Sequence, residues 1–313
     1  MDREKLFGVV LFFFVGLSLF VPTAKAEMLK EVAIGVFDNA PSMAETDRFY
    51  MRYHGPEITR LSGPWMARYQ LWLPYEPPEE AVEHFGAVRG RYAELWYRED
   101  DYLDRPGLSG ITRPPFDENS TRESGQTNIM VPANPTDVFY DSDPHPEQTT
   151  ILRWVTIIRY PEGVSVEDGE KWFLEVHAKE AVKQPGLLKF VSHLAWENPG
   201  GDNVPGMPSG DRGAPPGGGN MEAPSGDRGS MPPAMPARRS WVRLCEYWYT
   251  GFDAWRKAVL ESPPKYTAPP WGGEYPFVEM SSTFIPYYHD VDFLKGTYQV
   301  DFDLPKANYK TSP

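Results

Sequence analysis

The chain presents the same order of sequence patterns twice, and this repetition restricts its fold more than any other feature. The first series begins with a strand-like run at 31–37, followed by a helical stretch at 44–62. Two aromatic-rich, strand-like runs come next, "WMARYQLWL" at 65–73 and "RYAELWY" at 91–97. After an irregular stretch that contains several prolines, a last strand is predicted near "TNIMV" at 127–131.

The second series repeats this order and completes it. Its predicted elements are a strand, a helix, two strands, a helix and a strand, at 149–160, 167–184, 187–196, 241–249, 252–262 and 277–285. The order β-α-β-β-α-β is that of the ferredoxin-like unit. The sequence therefore predicts an α+β fold of two such modules, at 27–140 and 141–290, followed by a C-terminal tail at 291–313.

A residue-by-residue alignment of the two series indicates an internal duplication. A shift of 123 positions (177 − 54) places His54 on His177 and Glu57 on Glu180. A shift of 152 positions (246 − 94) aligns the acidic-aromatic strands, with Glu94, Trp96 and Tyr97 falling on Glu246, Trp248 and Tyr249. Matching apolar residues are common, but His, Glu and Glu-x-Trp-Tyr recurring in the same order are not.

Residues 1–26 have the composition of an export signal. They combine a charged start, an apolar run too short for a typical membrane span, and a small-x-small ending at Ala24-Lys25-Ala26. We expect cleavage before Glu27 and a periplasmic or secreted protein with no stable membrane span. An uncleaved N-terminal anchor is the alternative.

Charge and cysteine content exclude several classes of partner and stabilising bond. The formal net charge is −13, and removal of residues 1–26, with three basic and two acidic side chains, makes it −14. Nucleic acid and anionic membrane surfaces are excluded as partners, because their phosphates would be repelled. Cys245 is the single cysteine, so no disulfide can form within the chain.

One segment, at 198–237, is unlike the rest of the chain. It is dominated by Gly, Pro and small polar residues, contains "PSGDRG" twice, and shows no helical or strand periodicity. Such a composition predicts a disordered insertion in the second module. A tolerated surface loop is the favoured interpretation, because long loops cost little closure entropy; a tether, a lid or a contact for an assembly partner is the alternative.

Two histidines occupy matching places on predicted amphipathic helices. His54 lies on or beside the apolar face of the first helix, and His177 has the same place in the second. A buried histidine can be a structural core residue, but histidine also exchanges protons near neutral pH. Gly55 and Pro56 predict a kink after His54 that the second helix lacks, so the two histidines need not share one role.

Two glutamates lie on predicted aromatic strands. Strand alternation places Glu94 with Trp96, and Glu246 with Trp248. A buried carboxylate can serve as a general acid or base, and a His–Glu pair within each module would form a proton-transfer unit. The alternative is a structural ion pair with an arginine such as Arg243 or Arg68.

These motifs resemble EthD-type modules of the dimeric α/β-barrel superfamily. The shared features are an aromatic-x3-His helix, a Pro-Gly-Leu turn and an acidic-aromatic third strand, in "FYMRYHGPE", "KWFLEVHAKE", "PGLLKF" and "AELWY". The likeness covers most of 30–285 outside the insertion, and the first copy departs from it with two extra residues in "SGPWMARY". It implies two modules packed sheet to sheet around a cavity, here within one chain, as a monomer with an internal pseudo-dimer or as a homodimer.

The resemblance also implies a range of activities. The superfamily contains cofactor-free cyclases, decarboxylases and monooxygenases that act on aromatic compounds, and haem-binding members. We expect a cofactor-independent enzyme that binds an aromatic or hydrophobic small molecule and transfers a proton in lyase, decarboxylase or cyclase-like chemistry. The alternatives are a non-catalytic binder of a hydrophobic ligand or haem, with a histidine at the iron, and a monooxygenase-like protein.

The candidate site follows from these patterns. The catalytic candidates are His177, His54, Glu246 and Glu94. Aromatic side chains on the predicted strands are the ligand-binding candidates, although most large aromatics pack in cores: Trp72, Trp96, Tyr97, Trp248 and Tyr249. No metal is predicted, since the remaining histidines have no metal-ligand spacing and no nucleotide-binding or catalytic-serine motif is present.

Overall fold

Two five-stranded antiparallel sheets form the centre of the protein. The structure is a computed structural model and describes residues 28–35, 42–105, 127–196 and 240–295. The predicted signal and the predicted insertion lie outside these ranges. None of the helices within them has the length and hydropathy that a membrane crossing requires.

The first sheet has the strand order β10-β2-β3-β1-β4. Its strands are β1 (Met28–Gly35), β2 (Met66–Trp72), β3 (Arg91–Arg98), β4 (Thr127–Pro132) and β10 (Val291–Asp292). The order β5-β7-β8-β6-β9 describes the second sheet, whose strands are β5 (Asp137–Asp141), β6 (Leu152–Arg159), β7 (Lys189–Leu194), β8 (Arg243–Tyr249) and β9 (Glu279–Pro286).

Four neighbouring strands of each sheet, β2-β3-β1-β4 and β7-β8-β6-β9, confirm two ferredoxin-like modules. Within each module the second strand pairs with the third, the third with the first, and the first with the last, all antiparallel. The two registers agree as well: Val32 lies opposite Glu94 as Val155 lies opposite Glu246. All eight predicted strands of the two series are therefore confirmed, with ends that differ by a few residues.

Each sheet takes its fifth strand from the other half of the chain. The strand β5 follows β4 along the chain but pairs with β7 of the second sheet. In return, β10 follows β9 but pairs with β2 of the first sheet. Neither strand was predicted from the sequence; β5 extends past the predicted boundary at 140, and β10 begins just after the one at 290.

Chain segments beyond β2 and β7 cover the outer edges of the opposite sheets. Tyr75 and Val88 donate backbone hydrogen bonds to Phe284 and Ser282 of β9, at 2.8 and 2.9 Å. Trp196 does the same to Met130 of β4, at 2.7 Å. An open strand edge is a template for aggregation, so these reciprocal contacts close two sheets into one barrel-like body within a single chain.

Helices pack on the outer faces of the sheets. They are α1 (Met43–Phe49), α2 (Gly55–Ser62), α3 (Glu79–Phe85), α4 (Glu99–Asp104), α5 (Val166–Trp172), α6 (Ala178–Ala181) and α7 (Phe252–Arg256). Ser42 and Ser165 cap α1 and α5 by accepting hydrogen bonds from the backbone N–H groups of Glu45 and Asp168. The predicted helices at 44–62 and 167–184 thus begin where the capping serines indicate.

The two long helices contain the same irregularity. A π-helical turn, Tyr50–His54, joins α1 to α2, and a matching turn, Phe173–His177, joins α5 to α6. Both helices therefore widen at the histidine, although Gly55 and Pro56 follow it in the first copy and Ala178 and Lys179 in the second; the kink after His54 stays a prediction. Pro56 is accommodated because it lies at the start of α2, after the widened turn.

Three apolar clusters fill the fold. Two lie between a sheet and its helices, and they include Trp154 and Trp255 in the second module and Tyr69 in the first. The third lies between the sheets and is made of their inward-facing residues, Val32, Ile34, Trp72, Tyr92, Ile129, Val131, Val155, Ile157, Leu244 and Ile285. Polar residues of the same inner faces form the candidate site.

Candidate functional site

Alternation along β3 and β8 separates the predicted site residues onto two faces. Glu94 and Glu246 lie on the inner faces, where their side chains approach the same cations. Tyr97 and Tyr249 point the other way, into the apolar clusters beneath the helices. The structure therefore unites the two predicted glutamates and removes these two tyrosines from the inner site.

Four buried charged side chains meet between the sheets. Lys30 Nζ lies 3.4 Å from Glu94 Oε1 and 3.6 Å from Glu246 Oε1. Arg153 Nη2 lies 2.8 Å from Glu246 Oε2 and 3.7 Å from Glu94 Oε1. Each of the four is at most 9% exposed at its side chain. We call this group the charge quartet; its formal charges cancel, as buried ions require.

The alignment relates the members of the charge quartet in pairs. Arg153 is the counterpart of Lys30 under the shift of 123 positions (153 − 30), just as Glu246 is the counterpart of Glu94. Each cation faces the indole of its own sheet's third strand, since Lys30 lies over Trp96 and Arg153 over Trp248. The quartet thus consists of one cation–carboxylate pair from each module.

The two glutamates have different surroundings. Glu94 accepts hydrogen bonds from Tyr92 Oη at 2.8 Å and Trp96 Nε1 at 3.1 Å. Glu246 forms the tight ion pair with Arg153 and lies 3.7 Å from His193 Nε2. Burial alone would raise the pKa of Glu246, but the positive charges of Arg153 and Lys30 outweigh it and hold this pKa well below its usual range.

The hydroxyl of Tyr92 has a fixed protonation state. Burial raises the pKa of Tyr92 well above its usual value, and the negative charges of Glu94 and Glu246 raise it further. Tyr92 therefore donates a hydrogen bond to Glu94 at any ordinary pH. The equivalent place beside Glu246 is taken by Leu244 (92 + 152), which has no donor.

An open pocket of about 290 Å³ borders the charge quartet on the Glu94 side. Its lining combines charged, amide and aromatic groups: Lys30, Gln70, Trp72, Glu94, Trp96, Arg153, Trp248, Tyr287, Tyr288 and His289. We call it the inner pocket. Glu246 is not among the lining residues, so Glu94 is the carboxylate that a ligand in this pocket would meet.

Three of the five predicted ligand-binding aromatics line the inner pocket, namely Trp72, Trp96 and Trp248. The loop between β9 and β10 closes one side with Tyr287, whose ring meets that of Trp248 edge-on at 5.4 Å. His289 lies against Trp72, with ring centroids 5.6 Å apart. Several aromatic walls around a few polar groups are typical of a small-molecule site.

The two predicted histidines lie elsewhere, on the helix side of the sheets. His177 is 8% exposed and packs among the rings of Trp172, Phe173 and Tyr266. His54 is half-buried against Phe49 and Tyr50. Each histidine is separated from its module's glutamate by the sheet, so a His–Glu pair within a module, as the sequence suggested, is not formed.

Burial controls the charge of both histidines. It lowers the pKa of His177 and the pKa of His54 to about 4. The negative charges of Glu180 and Glu57 raise these two pKa values, but by a smaller amount. Both rings are neutral at pH 7. A chamber of about 20 Å³ beside His177 has room for about one water molecule.

The predicted arginine partners of the glutamates are wrong. Arg243 lies on the helix side and binds Glu170 and Asp137, at 2.6 and 2.7 Å. Arg68 is exposed and lies over the ring of Trp96. The partner is Arg153, which the sequence analysis missed although the shift of 123 positions places it on Lys30. The sequence did contain a signal for it: a basic residue recurs at equivalent positions of two largely apolar strands, Lys30 in β1 and Arg153 in β6.

Sequence reasoning also missed the polar side of the inner pocket. Gln70 and His289 meet there, with Nε2 and Nδ1 3.4 Å apart. Tyr287 and Tyr288 come from a loop that follows the last predicted strand. This loop reaches the first sheet only because β10 pairs with β2, so no local pattern could place it at the site.

The chamber at His177 is too small for a haem macrocycle, and His54 is half-buried against the rings of Phe49 and Tyr50. His289 borders the inner pocket, whose volume is just below the roughly 300–1,000 Å³ of pockets for drug-sized ligands. Across the same described ranges, no group of three or more His, Cys, Asp or Glu residues is arranged to hold a metal ion.

Comparisons with known proteins return structural likeness only. No family model matches the chain, and no curated protein matches it significantly. An anthrone oxidase-like protein is similar in structure at 8% identity and a TM-score of 0.41, over 86% of this chain and 93% of the other. A monooxygenase candidate from Lactobacillus acidophilus NCFM is 10% identical with a TM-score of 0.30, over 85% of this chain and 94% of the other. A chlorite dismutase candidate is 13% identical with a TM-score of 0.31, over 86% of this chain and 97% of the other.

These TM-scores are too low to carry an argument about function. The fold is assigned from strand order and register, and function has to be argued from the site itself.

Proposed function

We propose that this protein is an enzyme that binds an aromatic small molecule in the inner pocket and transfers a proton between that molecule and Glu94. The observation that carries the proposal is the position of Glu94: its carboxylate lines an aromatic pocket and lies beside Lys30. We also propose, from the sequence motifs, an EthD-type, cofactor-independent protein that is exported and whose barrel forms within one chain.

The surroundings of Glu94 support the role of proton acceptor. Tyr92 and Trp96 donate to its two oxygens, which fixes the orientation of the carboxylate, and Lys30 balances its charge. A ligand C–H or O–H group in the pocket would lose its proton to Glu94, and the electron pair would remain on the ligand as an anion. Lys30 and Arg153 would stabilise that anion, and return of the proton from Glu94 completes the cycle.

The aromatic walls support the class of ligand. Trp72, Trp96 and Trp248 present rings to the pocket, and flat apolar molecules gain from stacking on such rings. Lyase and cyclase-like reactions would begin with this deprotonation, whereas in a decarboxylase-like reaction the ligand would lose CO2 and take up a proton from protonated Glu94. A monooxygenase-like reaction would begin with the same deprotonation and requires molecular oxygen as the co-substrate.

The helix-side chamber at His177 is the second candidate site. His177 Nδ1 has no hydrogen-bond partner among the described residues, and the chamber beside it is lined by Trp154, Trp172 and Tyr275. Its volume of about 20 Å³ admits a substrate only after the surrounding side chains move. The inner pocket needs no such rearrangement, which is why we place the chemistry at Glu94.

Isotope exchange tests the choice between the two sites. Native mass spectrometry of the exported protein would identify a bound aromatic ligand, and NMR would follow solvent deuterium entering that ligand. We expect Glu94→Gln to reduce the exchange rate at least about 100-fold, the lower range for general-base catalysis. Glu279→Gln is the matched control, because Glu279 pairs with Arg159 at the end of β9, outside the lining of the inner pocket.

Two results would overturn the assignment. Exchange at an unchanged rate in Glu94→Gln removes Glu94 from the reaction. Loss of exchange in His177→Gln, with Glu94→Gln unaffected, moves the chemistry to the helix side.

A further inference from the structure

Two residues that line the inner pocket carry buried N–H donors that lack acceptors. Trp72 Nε1 and Arg153 Nε are both buried, and neither has a hydrogen-bond partner within the described part of the chain. Both residues line the inner pocket, and the guanidinium carbon of Arg153 lies 5.5 Å from the centre of the Trp72 ring. A buried donor without an acceptor is unfavourable, so two beside one pocket need an explanation.

The equivalent place in the second module has no such deficit. His193 pairs with Leu244 on β7 and β8 as Trp72 pairs with Tyr92 on β2 and β3, so His193 is the counterpart of Trp72. The Nδ1 atom of His193 lies 2.9 Å from the carbonyl oxygen of Pro132 and has its acceptor there. Of these two equivalent positions, the one with the unsatisfied donor is therefore the one that lines the inner pocket.

Positive side chains outnumber carboxylates on the wall of the inner pocket itself, while Glu246 behind the wall balances the charge of Arg153. Lys30 and Arg153 contribute two positive charges, whereas Glu94 is the one carboxylate among the lining residues. Glu94 already accepts hydrogen bonds from Tyr92 and Trp96. The wall thus offers more donors than acceptors, which favours a ligand that brings an acceptor oxygen with negative charge.

We infer that the ligand of the inner pocket is a planar aromatic compound carrying an anionic oxygen, held by Trp72 and Arg153. The aromatic body lies against the tryptophans, and the oxygen accepts from Trp72 Nε1–H and Arg153 Nε–H. A carboxylate and a phenolate share this chemistry. The inference rests on the proposed function for the location of the ligand. It adds that the ligand carries an anionic oxygen, which the proposed function does not require.

Equilibrium dialysis with three probes tests the inference on the full exported chain. The probes are 2-naphthoate, its neutral isostere 2-methylnaphthalene, and 4-nitrophenolate at pH 9, which separates phenolate from carboxylate recognition. We expect at least one anionic probe to bind at least about ten-fold more tightly than 2-methylnaphthalene, because hydrogen bonds to charged groups are the stronger class. Trp72→Phe keeps a ring, removes the N–H, and should abolish most of this preference.

Trp154→Phe is the matched control. Trp154 is also a buried indole whose Nε1 has no partner among the described residues, but it lies on the helix side, away from the inner pocket. Its replacement should leave the preference for the anionic probe unchanged. Arg153→Lys, which keeps the charge and removes the Nε–H, is the second variant should Trp72→Phe fold poorly; it should also weaken the anionic probe more than the neutral one.

The outcomes separate this inference from the proposed function. Equal binding of anionic and neutral probes, or an unchanged preference in folded Trp72→Phe, means that water satisfies these donors; the inference then fails while the aromatic pocket stands. Failure of all three probes to bind overturns the inference and the proposed pocket together.

Discussion

Burial decides the charge of His177. Of the two histidines predicted as catalytic, it is the one with less access to solvent. Aromatic rings surround it and its pKa is lowered to about 4. In the unfolded chain the pKa of the same side chain is about 6.5. Between these two values the unfolded state binds a proton that the folded state does not, so stability depends on pH in this window.

This difference predicts a loss of stability in acid. The contribution of neutral His177 is fully present above about pH 6.5 and is lost as pH falls towards 4. We expect His177→Asn to reduce the difference in unfolding free energy between pH 7.5 and pH 4.5 by about 2 kcal/mol, measured by urea denaturation. His84→Asn, at an exposed histidine, should leave the difference unchanged. A variant His177→Asn with the wild-type pH dependence would contradict the prediction.

At the scale of single side chains, four of the ten residues that line the inner pocket were predicted from the sequence: Trp72, Glu94, Trp96 and Trp248. Glu94, Trp96 and Trp248 were predicted because strand alternation places them on one face. The wrong face was given to Tyr97 and Tyr249, since both neighbours in a Trp-Tyr pair cannot point inward. Which face is inward depends on how the second sheet packs, and no local pattern contains that information.

At the scale of the helices, the close approach of Phe293 explains why position 55 is a glycine. A Cβ atom added to Gly55 would lie 2.2 Å from Cζ of Phe293. Phe293 follows β10 and packs on the first module, where its ring also contacts Tyr69 at 4.8 Å between centroids. Gly55 therefore leaves room for Phe293, just after β10, to pack on the first module.

Gly55→Ala should destabilise the protein by about 1–3 kcal/mol, the usual cost of overpacking. The methyl group would displace the Phe293 ring and weaken the attachment of β10. The control is the same substitution in a Phe293→Ala background, because removal of the ring takes away the atoms that the new methyl group would meet, and there Gly55→Ala should change stability by less than about 1 kcal/mol. Urea denaturation of the single and double variants measures the effect; an equal cost in both backgrounds would show that the Phe293 ring is not its cause.

Strands and helices with strong periodicity were predictable, and the short edge strands were not. The eight strands of the two series have alternating or continuous apolar patterns over five or more residues. By contrast, β5 is "DVFYD", with mostly exposed or half-buried side chains, and β10 has two residues. Both exist because an open edge of the other sheet is available, which is a tertiary cause.

For the complete chain, the exchange of β5 and β10 makes the two modules dependent on each other. Each half of the chain completes the sheet of the other half, and Arg243 of the second module ties β5 in place through Asp137. The charge quartet adds ion pairs across the same interface. Neither half has its full set of strands without the other.

A cut between the halves should therefore leave the protein assembled. The connection between β5 and β6 is largely exposed at 141–150, so a specific protease site inserted between Pro146 and Glu147 should be accessible. After cleavage, we expect both fragments to elute together in size-exclusion chromatography and to separate only in denaturant. The uncut protein with the same insertion is the control. Fragments that separate under native conditions would show that the exchanged strands contribute little.

The arrangement of two modules on one chain also removes a restriction on mutation. In a symmetric homodimer a single substitution changes both copies of a position, so the centre of the barrel must stay the same on its two sides. Here Tyr92 and Leu244, or Trp72 and His193, can differ because each is encoded separately. One half of the interior can keep a rigid ion pair while the other acquires a binding surface, so a fused pair of modules can specialise where two identical subunits cannot.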